Sequence, residues 1–184
     1  MQTGKVILLN GASSSGKSTI ARAVQARIEP PFWHISIDHL REAGVLPLDR
    51  IKSGEFPWAS MREAFFDGFD RALAAYAEAG NNLIVETIVE TPAWMARLVR
   101  VLEGFDVFFV GVRCGLEELE RREIARGDRR IGDARRDLQT IHEHCAYDLE
   151  LQGELAADVC ADRLISAWRA RTRPTAFERL AVGR

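Results

Sequence analysis

Short apolar runs of strand length recur along the chain, and a stretch of helical periodicity follows each of them. Val6-Ile7-Leu8-Leu9, Leu83-Ile84-Val85-Glu86 and Phe105 to Val112 are nearly continuous in apolar character, as strands covered on both faces are. Trp33-His34-Ile35-Ser36-Ile37-Asp38 alternates with the two-residue period of a strand and ends on a carboxylate. Tyr147 to Leu151 reads as a last strand. Between them lie amphipathic stretches: Lys17 to about Ile28, stopped by Pro30-Pro31; 59–79, ended by Gly80; a helix from Thr91-Pro92, as N-cap and first residue, to Gly104; a charged helix over 115–126; and a covering helix from Ala156 to about Arg171. A short helical piece around Leu40 follows the second strand. Residues 44–57, with Gly44, Pro47, Gly54 and Pro57, read as a long connection of the kind that carries function. The alternation predicts an α/β fold of three layers, in which a central parallel sheet of about five strands carries helices on both faces. One domain is expected over residues 1–173, with 174–184 as a loose C-terminal tail.

Composition narrows the class. The 184 residues are 47% hydrophobic and 28% charged, ordinary for a globular domain. A net charge of −2 argues against nucleic acid as the partner, because such domains carry a positive excess. No apolar stretch approaches the roughly 20 residues that cross a bilayer, and no signal-peptide pattern precedes the first strand, so a cytoplasmic protein is expected. Cys114, Cys145 and Cys160 lack metal-site or disulfide spacing and read as reduced thiols. Homo-oligomerisation is left open.

The chemistry enters between the first strand and the first helix. Gly11-Ala12-Ser13-Ser14-Ser15-Gly16-Lys17-Ser18, followed by Thr19, is a complete phosphate-binding loop. Its glycines let the backbone wrap so that successive N–H groups converge on one anion. Lys17 reaches the β- and γ-phosphates, Ser18 suits a Mg²⁺ bound to the nucleotide, and the following helix turns its positive end to the same anion. Ligands of such sheets sit outside the carboxyl ends of the strands, so Asp38 and Glu86 are expected beside this loop. Phosphoryl transfer then needs a group to receive the acceptor proton, and Asp38 is the candidate base; a helix N-cap is the alternative for it. Glu86 is the candidate for holding Mg²⁺, against a plain polar strand end.

Seven arginines fall between 121 and 136, broken by Gly127 and Gly132. Glu117, Glu118, Glu120 and Glu123 account for some of them as helix-surface pairs. Arg126-Gly127-Asp128-Arg129 interrupts the helix between arginines, as suits a lid over 121–136 that closes on the triphosphate and excludes water; Arg126 and Arg129 are the anion contacts expected. His142 and His144 face apart and make a poor metal pair. Trp33, Phe56, Trp58, Phe66 and Trp94 are candidates for an apolar acceptor wall, with plain core as the alternative.

Together, Ile7-Leu8-Leu9-Asn10-Gly11, Ile37-Asp38, Val110-Gly111-Val112-Arg113-Cys114, Arg122-Glu123, Ala125-Arg126-Gly127-Asp128-Arg129 and His142 with Tyr147-Asp148 resemble the chloramphenicol phosphotransferase family of small P-loop kinases. The resemblance implies a P-loop kinase fold, ATP and Mg²⁺, Asp38 as base, and Arg126 and Arg129 near the phosphates. It departs at the third strand, where Glu86-Thr87 replaces adjacent aspartates. The function expected is ATP-dependent transfer of the γ-phosphoryl group to a hydroxyl of a small molecule, such as chloramphenicol or a related antibiotic. A metabolic kinase for a nucleoside, sugar acid or activated sugar is the alternative, and a non-catalytic nucleotide sensor is a third. No Asn-Lys-x-Asp or strand-following Asp-x-x-Gly supports a GTPase.

Overall fold

In the computed structural model, which describes residues 2–127 and 131–182, five strands form one parallel sheet: β1 (Lys5–Asn10), β2 (Phe32–Ile35), β3 (Asn82–Thr87), β4 (Asp106–Arg113) and β5 (Leu149–Gln152). Their order is β2-β3-β1-β4-β5. Winding reverses at β1, and such a reversal opens a crevice at the carboxyl ends of the strands. The helices are α1 (Lys17–Gln25), α2 (Ile37–Glu42), α3 (Leu48–Lys52), α4 (Trp58–Glu78), α5 (Pro92–Val101), α6 (Leu116–Arg126), α7 (Asp133–Thr140), α8 (Ala157–Arg169) and α9 (Ala176–Val182).

The two-residue period of β1 divides the core. Val6 and Leu8 point to one face, where Phe69 and Leu73 of α4, Leu98 and Leu102 beside α5, and Phe177 of α9 pack on them. Ile7 and Leu9 point to the other, against Ile20 and Val24 of α1 and Leu164 and Trp168 of α8. Burial on both sides is why β1 reads as an unbroken apolar run. Thr91 caps α5 as expected, its Oγ1 accepting from Trp94 N at 3.2 Å.

Three expectations are corrected. The second strand stops at Ile35, because Ser36 caps α2 through a bond from His39 N to its Oγ. Asp38 thus lies in the first turn of a helix, neither at a strand tip nor at the N-cap. The connection 44–57 contains α3. Residues 174–184 are not a loose tail throughout: Ala176–Val182 form α9 and Phe177 is core. The anchor is Asp148, whose carboxylate accepts from Phe109 N at 2.9 Å and from Ala176 N at 2.6 Å, tying α9 to β4.

Candidate active site

The phosphate loop leaves β1 at Asn10 and enters α1 through Gly16, which holds φ 97°. Ser14 shares the left-handed region at φ 64°, a conformation that costs a non-glycine residue about 1–3 kcal/mol and is characteristic of ligand cradles. Two glycines set the loop against its neighbours by having no Cβ. At Gly11 that atom would lie 2.5 Å from Val112 O, and at Gly153, after β5, 2.0 Å from Ser15 O. Ala12 packs behind the loop with Cys114, Leu119 and Ala134. Lys17 is buried, and its Nζ donates to Gly11 O and Ala12 O, both at 2.8 Å. The Ser14 and Ser15 hydroxyls are buried without a hydrogen-bond partner. Unsatisfied buried hydroxyls are costly, so donors of this kind suit a site built for an anion.

Glu86 stands near the end of β3, and its Oε2 accepts the Ser18 hydroxyl at 2.8 Å. Its other oxygen meets His34 Nε2 at 2.6 Å. Burial alone would raise its pKa; the His34 bond, the Lys17 charge and the Ser18 bond outweigh it and hold the carboxyl below its ordinary value. Glu86 is therefore an ionised carboxylate kept in place from two sides.

Around this floor opens a cleft of about 1230 Å³. The stretch from Ser13 to Thr19 lines it, with Arg121, Arg122 and Arg126 of α6 and Arg136 and Asp137 of α7. Ile37, Leu46, Leu48 and Ile51 and the rings of Trp58, Phe65, Phe66 and Trp94 line it too, among the charged side chains of Arg41, Glu42, Lys52, Arg62 and Glu90. The aromatic rings pack edge to face, Phe66 against Trp94 at 4.6 Å and Trp58 against Phe65 at 5.5 Å between centroids. Arg62 lies over the Phe66 ring and pairs with Glu90 at 2.7 Å. Trp33, by contrast, is exposed on β2 and leaves the wall, and Phe56 stacks under Arg50.

Asp38 also lines the cleft, with Arg41 Nη1 3.5 Å from its Oδ1. The fold thus gathers the loop, Asp38, Glu86 and Arg126 around one cavity. Arg129 lies outside the described residues. His34 and Asp137 were not singled out in the sequence, and Arg122 and Glu123, expected within the arginine run and its helix-surface pairs, take further contacts. His34 reaches Glu86. Arg122 donates to Gly153 O at 2.9 Å and stands 3.5 Å from Ser14 O, so it touches the loop from outside. Asp137 is buried and accepts from Ser13 N at 3.1 Å. Glu123 turns inward from α6 to the start of α7. The available signal was spacing: Glu123 follows Leu116 and Leu119 at i+7 and i+4, on the face of α6 that is buried.

On the opposite side of the loop, Asn10 gathers three segments. Its Nδ2 donates to Ile141 O and to Tyr147 Oη, and its Oδ1 accepts from Val89 N. Tyr147 lies against β4 where Gly111 leaves room, a Cβ there falling 2.7 Å from the ring. His142 Nδ1 meets Tyr147 Oη at 2.7 Å. Burial, and then the Arg113 charge, push the His142 pKa down to about 4, so the imidazole is neutral. Among the described residues no group of three or more His, Cys, Asp or Glu could hold a metal ion.

Comparison with known proteins places this architecture. Two Mycobacterium tuberculosis proteins (strains CDC 1551 / Oshkosh and ATCC 25618 / H37Rv) that carry the provisional name O-phosphotransferase are 35% identical over 202 residues, covering 98% of this chain and 89% of each relative. Among solved structures, the M. tuberculosis APS kinase CysC in complex with AMPPNP and APS superposes with a TM-score of 0.68 at 20% identity, over 92% of this chain and 99% of that one. A sugar kinase from Janibacter sp. HTCC2649 gives 0.65 at 17% identity, over 90% and 95%. These structures share the P-loop kinase fold. The model of the chloramphenicol phosphotransferase-like proteins matches residues 4–169, and the chain belongs to that family, a phosphotransferase of the P-loop kinase fold.

Proposed function

We propose that this enzyme uses ATP to phosphorylate a hydroxyl of a small, largely apolar, ring-bearing molecule. The observation that carries the reading is that the phosphate loop, Asp38 and the rings of Trp58, Phe65, Phe66 and Trp94 all line one cleft. An acceptor hydroxyl that met only the aromatic rings would go unpaired, at a cost of about 1–3 kcal/mol for each unsatisfied group. An aromatic or alicyclic alcohol gains from the same surface about 25 cal/mol per Å² covered. Chloramphenicol belongs to the acceptors this selects for testing.

Each residue has a task. The loop amides and the Ser14 and Ser15 hydroxyls bind the phosphate chain. Lys17 leaves the carbonyls of Gly11 and Ala12 for the phosphates, an exchange of two neutral acceptors for anionic ones. Arg122, Arg126 and Arg136 add positive charge along the cleft, and Arg129 is proposed to join them. Asp38 accepts the proton of the attacking hydroxyl, orienting it by the same hydrogen bond. The apolar wall excludes water, which would otherwise compete as acceptor.

The donor set at the floor of the cleft fits Mg²⁺, since Ser18 Oγ and an ionised Glu86 oxygen are hard oxygen ligands 2.8 Å apart. One or two protein oxygens are what this ion usually takes when phosphates supply the rest. Mg²⁺ supplies charge neutralisation on the transferring phosphoryl group. A cytoplasmic setting suits ATP chemistry, and no helix among the described residues is long and apolar enough to cross a membrane.

The decisive experiment incubates purified protein with ATP, Mg²⁺ and a library of hydroxylated compounds, reading ADP release and product mass. Acceptor-dependent ADP release with a monophosphorylated apolar alcohol is the outcome expected. Phosphorylation confined to polyols or nucleosides would overturn the acceptor class, and ATP binding with no turnover would favour a nucleotide sensor.

A further inference from the structure

His34 belongs neither to the phosphate loop nor to the arginine-rich pair α6 and α7 nor to the acceptor wall. It is the third residue of β2, an edge strand, and lies opposite Ile84 in the parallel register with β3. Side chains return to one face at every second residue, so Glu86 shares the face of Ile84 one step nearer the strand ends. The imidazole extends along that face to meet Glu86 Oε1 at 2.6 Å. Both side chains are shut away, with 6% of His34 and 9% of Glu86 exposed. The remaining carboxylate oxygen takes the Ser18 hydroxyl. His34, Glu86 and Ser18 therefore form an unbroken chain from the sheet edge to the first turn of α1, and the His39 ring packs edge-on against His34 at 4.6 Å between centroids.

A glutamate side chain has three rotatable bonds, and holding it in one arrangement costs rotamer entropy. The Ser18 hydroxyl alone restrains one oxygen and lets the carboxylate swing about that contact. A second restraint on the other oxygen removes the swing. In the tautomer with its proton on Nε2, His34 donates to Glu86 Oε1 while Ser18 donates to Oε2. The longer arm of Glu86, compared with an aspartate, is what brings its two oxygens within reach of both partners.

We infer that His34 is a positioning residue for phosphoryl transfer, its Nε2–H holding Glu86 turned toward the Ser18 hydroxyl. The inference rests on the proposed use of Ser18 and Glu86 to hold the divalent cation. Partners that hydrogen-bond to a metal-holding side chain contribute about 10–100-fold to metal affinity.

The test uses the full chain with saturating non-hydrolysable ATP analogue and Mn²⁺ as a probe seen by electron paramagnetic resonance. Metal-free analogue binding and urea unfolding are measured on the same proteins. His34→Ala is expected to weaken Mn²⁺ by about 10–100-fold while analogue affinity without metal stays within about two-fold. His34→Gln places an amide N–H near the lost Nε2 and restores most of the affinity. His34→Asn is too short to reach Glu86 and behaves as His34→Ala, which it replaces if the alanine variant fails to fold. Glu86→Gln weakens Mn²⁺ at least as much. Wild-type Mn²⁺ affinity in His34→Ala or His34→Asn, with a loss in Glu86→Gln, overturns the positioning role and leaves the Glu86 reading standing. Unchanged affinity in Glu86→Gln overturns that reading itself. Equal losses in His34→Gln and His34→Asn also overturn the inference, because the effect would then be packing.

Discussion

Glu123→Ala is expected to melt the α7 end of the arginine-rich hairpin while sparing the sheet. Glu123 is 1% exposed, and its carboxylate accepts from Gly132 N at 2.7 Å and from Ala134 N at 2.9 Å. These amides open α7, whose N-cap is Gly132 and has no side chain to offer them. Helix N-termini leave donors that need such partners. Each bond to a charged acceptor contributes about 1.5–3 kcal/mol. The Gly132 amide is partly accessible to water, so losing both bonds should cost about 3–4 kcal/mol, a large share of the roughly 5–15 kcal/mol that stabilises a domain. Glu123→Gln keeps one accepting oxygen and turns an NH₂ toward the other amide, so about half of that loss is expected. Urea unfolding gives the magnitude, and hydrogen exchange resolved along the chain gives its location. Protection should fall across Asp133–Thr140 and persist in β1 and β4. The turnover rate should fall as well, since Arg136 and Asp137 ride on α7. Unfolding free energy within about 0.5 kcal/mol of wild type, the range of an ordinary surface substitution, would refute the reasoning. So would equal deprotection of β1.

Asp38→Asn should retain nucleotide binding and lose transfer by about 10²–10⁴-fold, the usual share of a general base; full activity in an acceptor assay would remove Asp38 from that role. Lys17→Ala should abolish productive ATP use, read as ADP release, because nothing else on the loop replaces its charge. Gly153→Ala should weaken nucleotide binding measured by calorimetry, because the new methyl meets Ser15 O at 2.0 Å and must push the loop backbone; the accompanying overpacking cost is about 1–3 kcal/mol. Unchanged affinity would show that the loop tolerates the shift. Folded His142 is held down to about 4 by burial and then by Arg113, from an ordinary 6.5. Between those values the unfolded chain binds the extra proton, so stability falls as the pH drops through that window. His142→Gln should flatten this part of the profile in urea midpoints taken at about pH 4.5 and about pH 7. Asp70, raised to about 6 by burial, acts in the opposite sense but is present in both proteins and cancels. Parallel profiles would refute the assignment.

The strand-helix alternation and the phosphate loop were legible in the sequence because both depend on local rules. Apolar runs buried on two faces, a proline after a threonine cap, and glycines at fixed spacing each act within a few residues. The second strand was extended too far for an equally local reason. Ser36-Ile37-Asp38 alternates like a strand, yet Ser36 offers a cap to His39 N, and the helix begins there. The last helix is short, with Phe177, Leu180 and Ala181 at helical spacing over only seven residues, and what fixes it is remote: the Asp148 carboxylate, 28 positions away at Ala176.

What the sequence determined by itself was the chemistry at the loop and the order of the elements. Lys17, Ser18 and the glycines serve a phosphate wherever the loop stands, so their spacing suffices. Which residues face them was decided only by the tertiary structure. His34 meets Glu86 across 52 positions, and Asp137 meets Ser13 N across 124. Contacts at such separation arise from strand order and helix packing, and neither leaves a period in the chain. The single cleft that joins phosphate loop, Asp38 and aromatic wall exists because parallel strands bring their carboxyl ends to one edge.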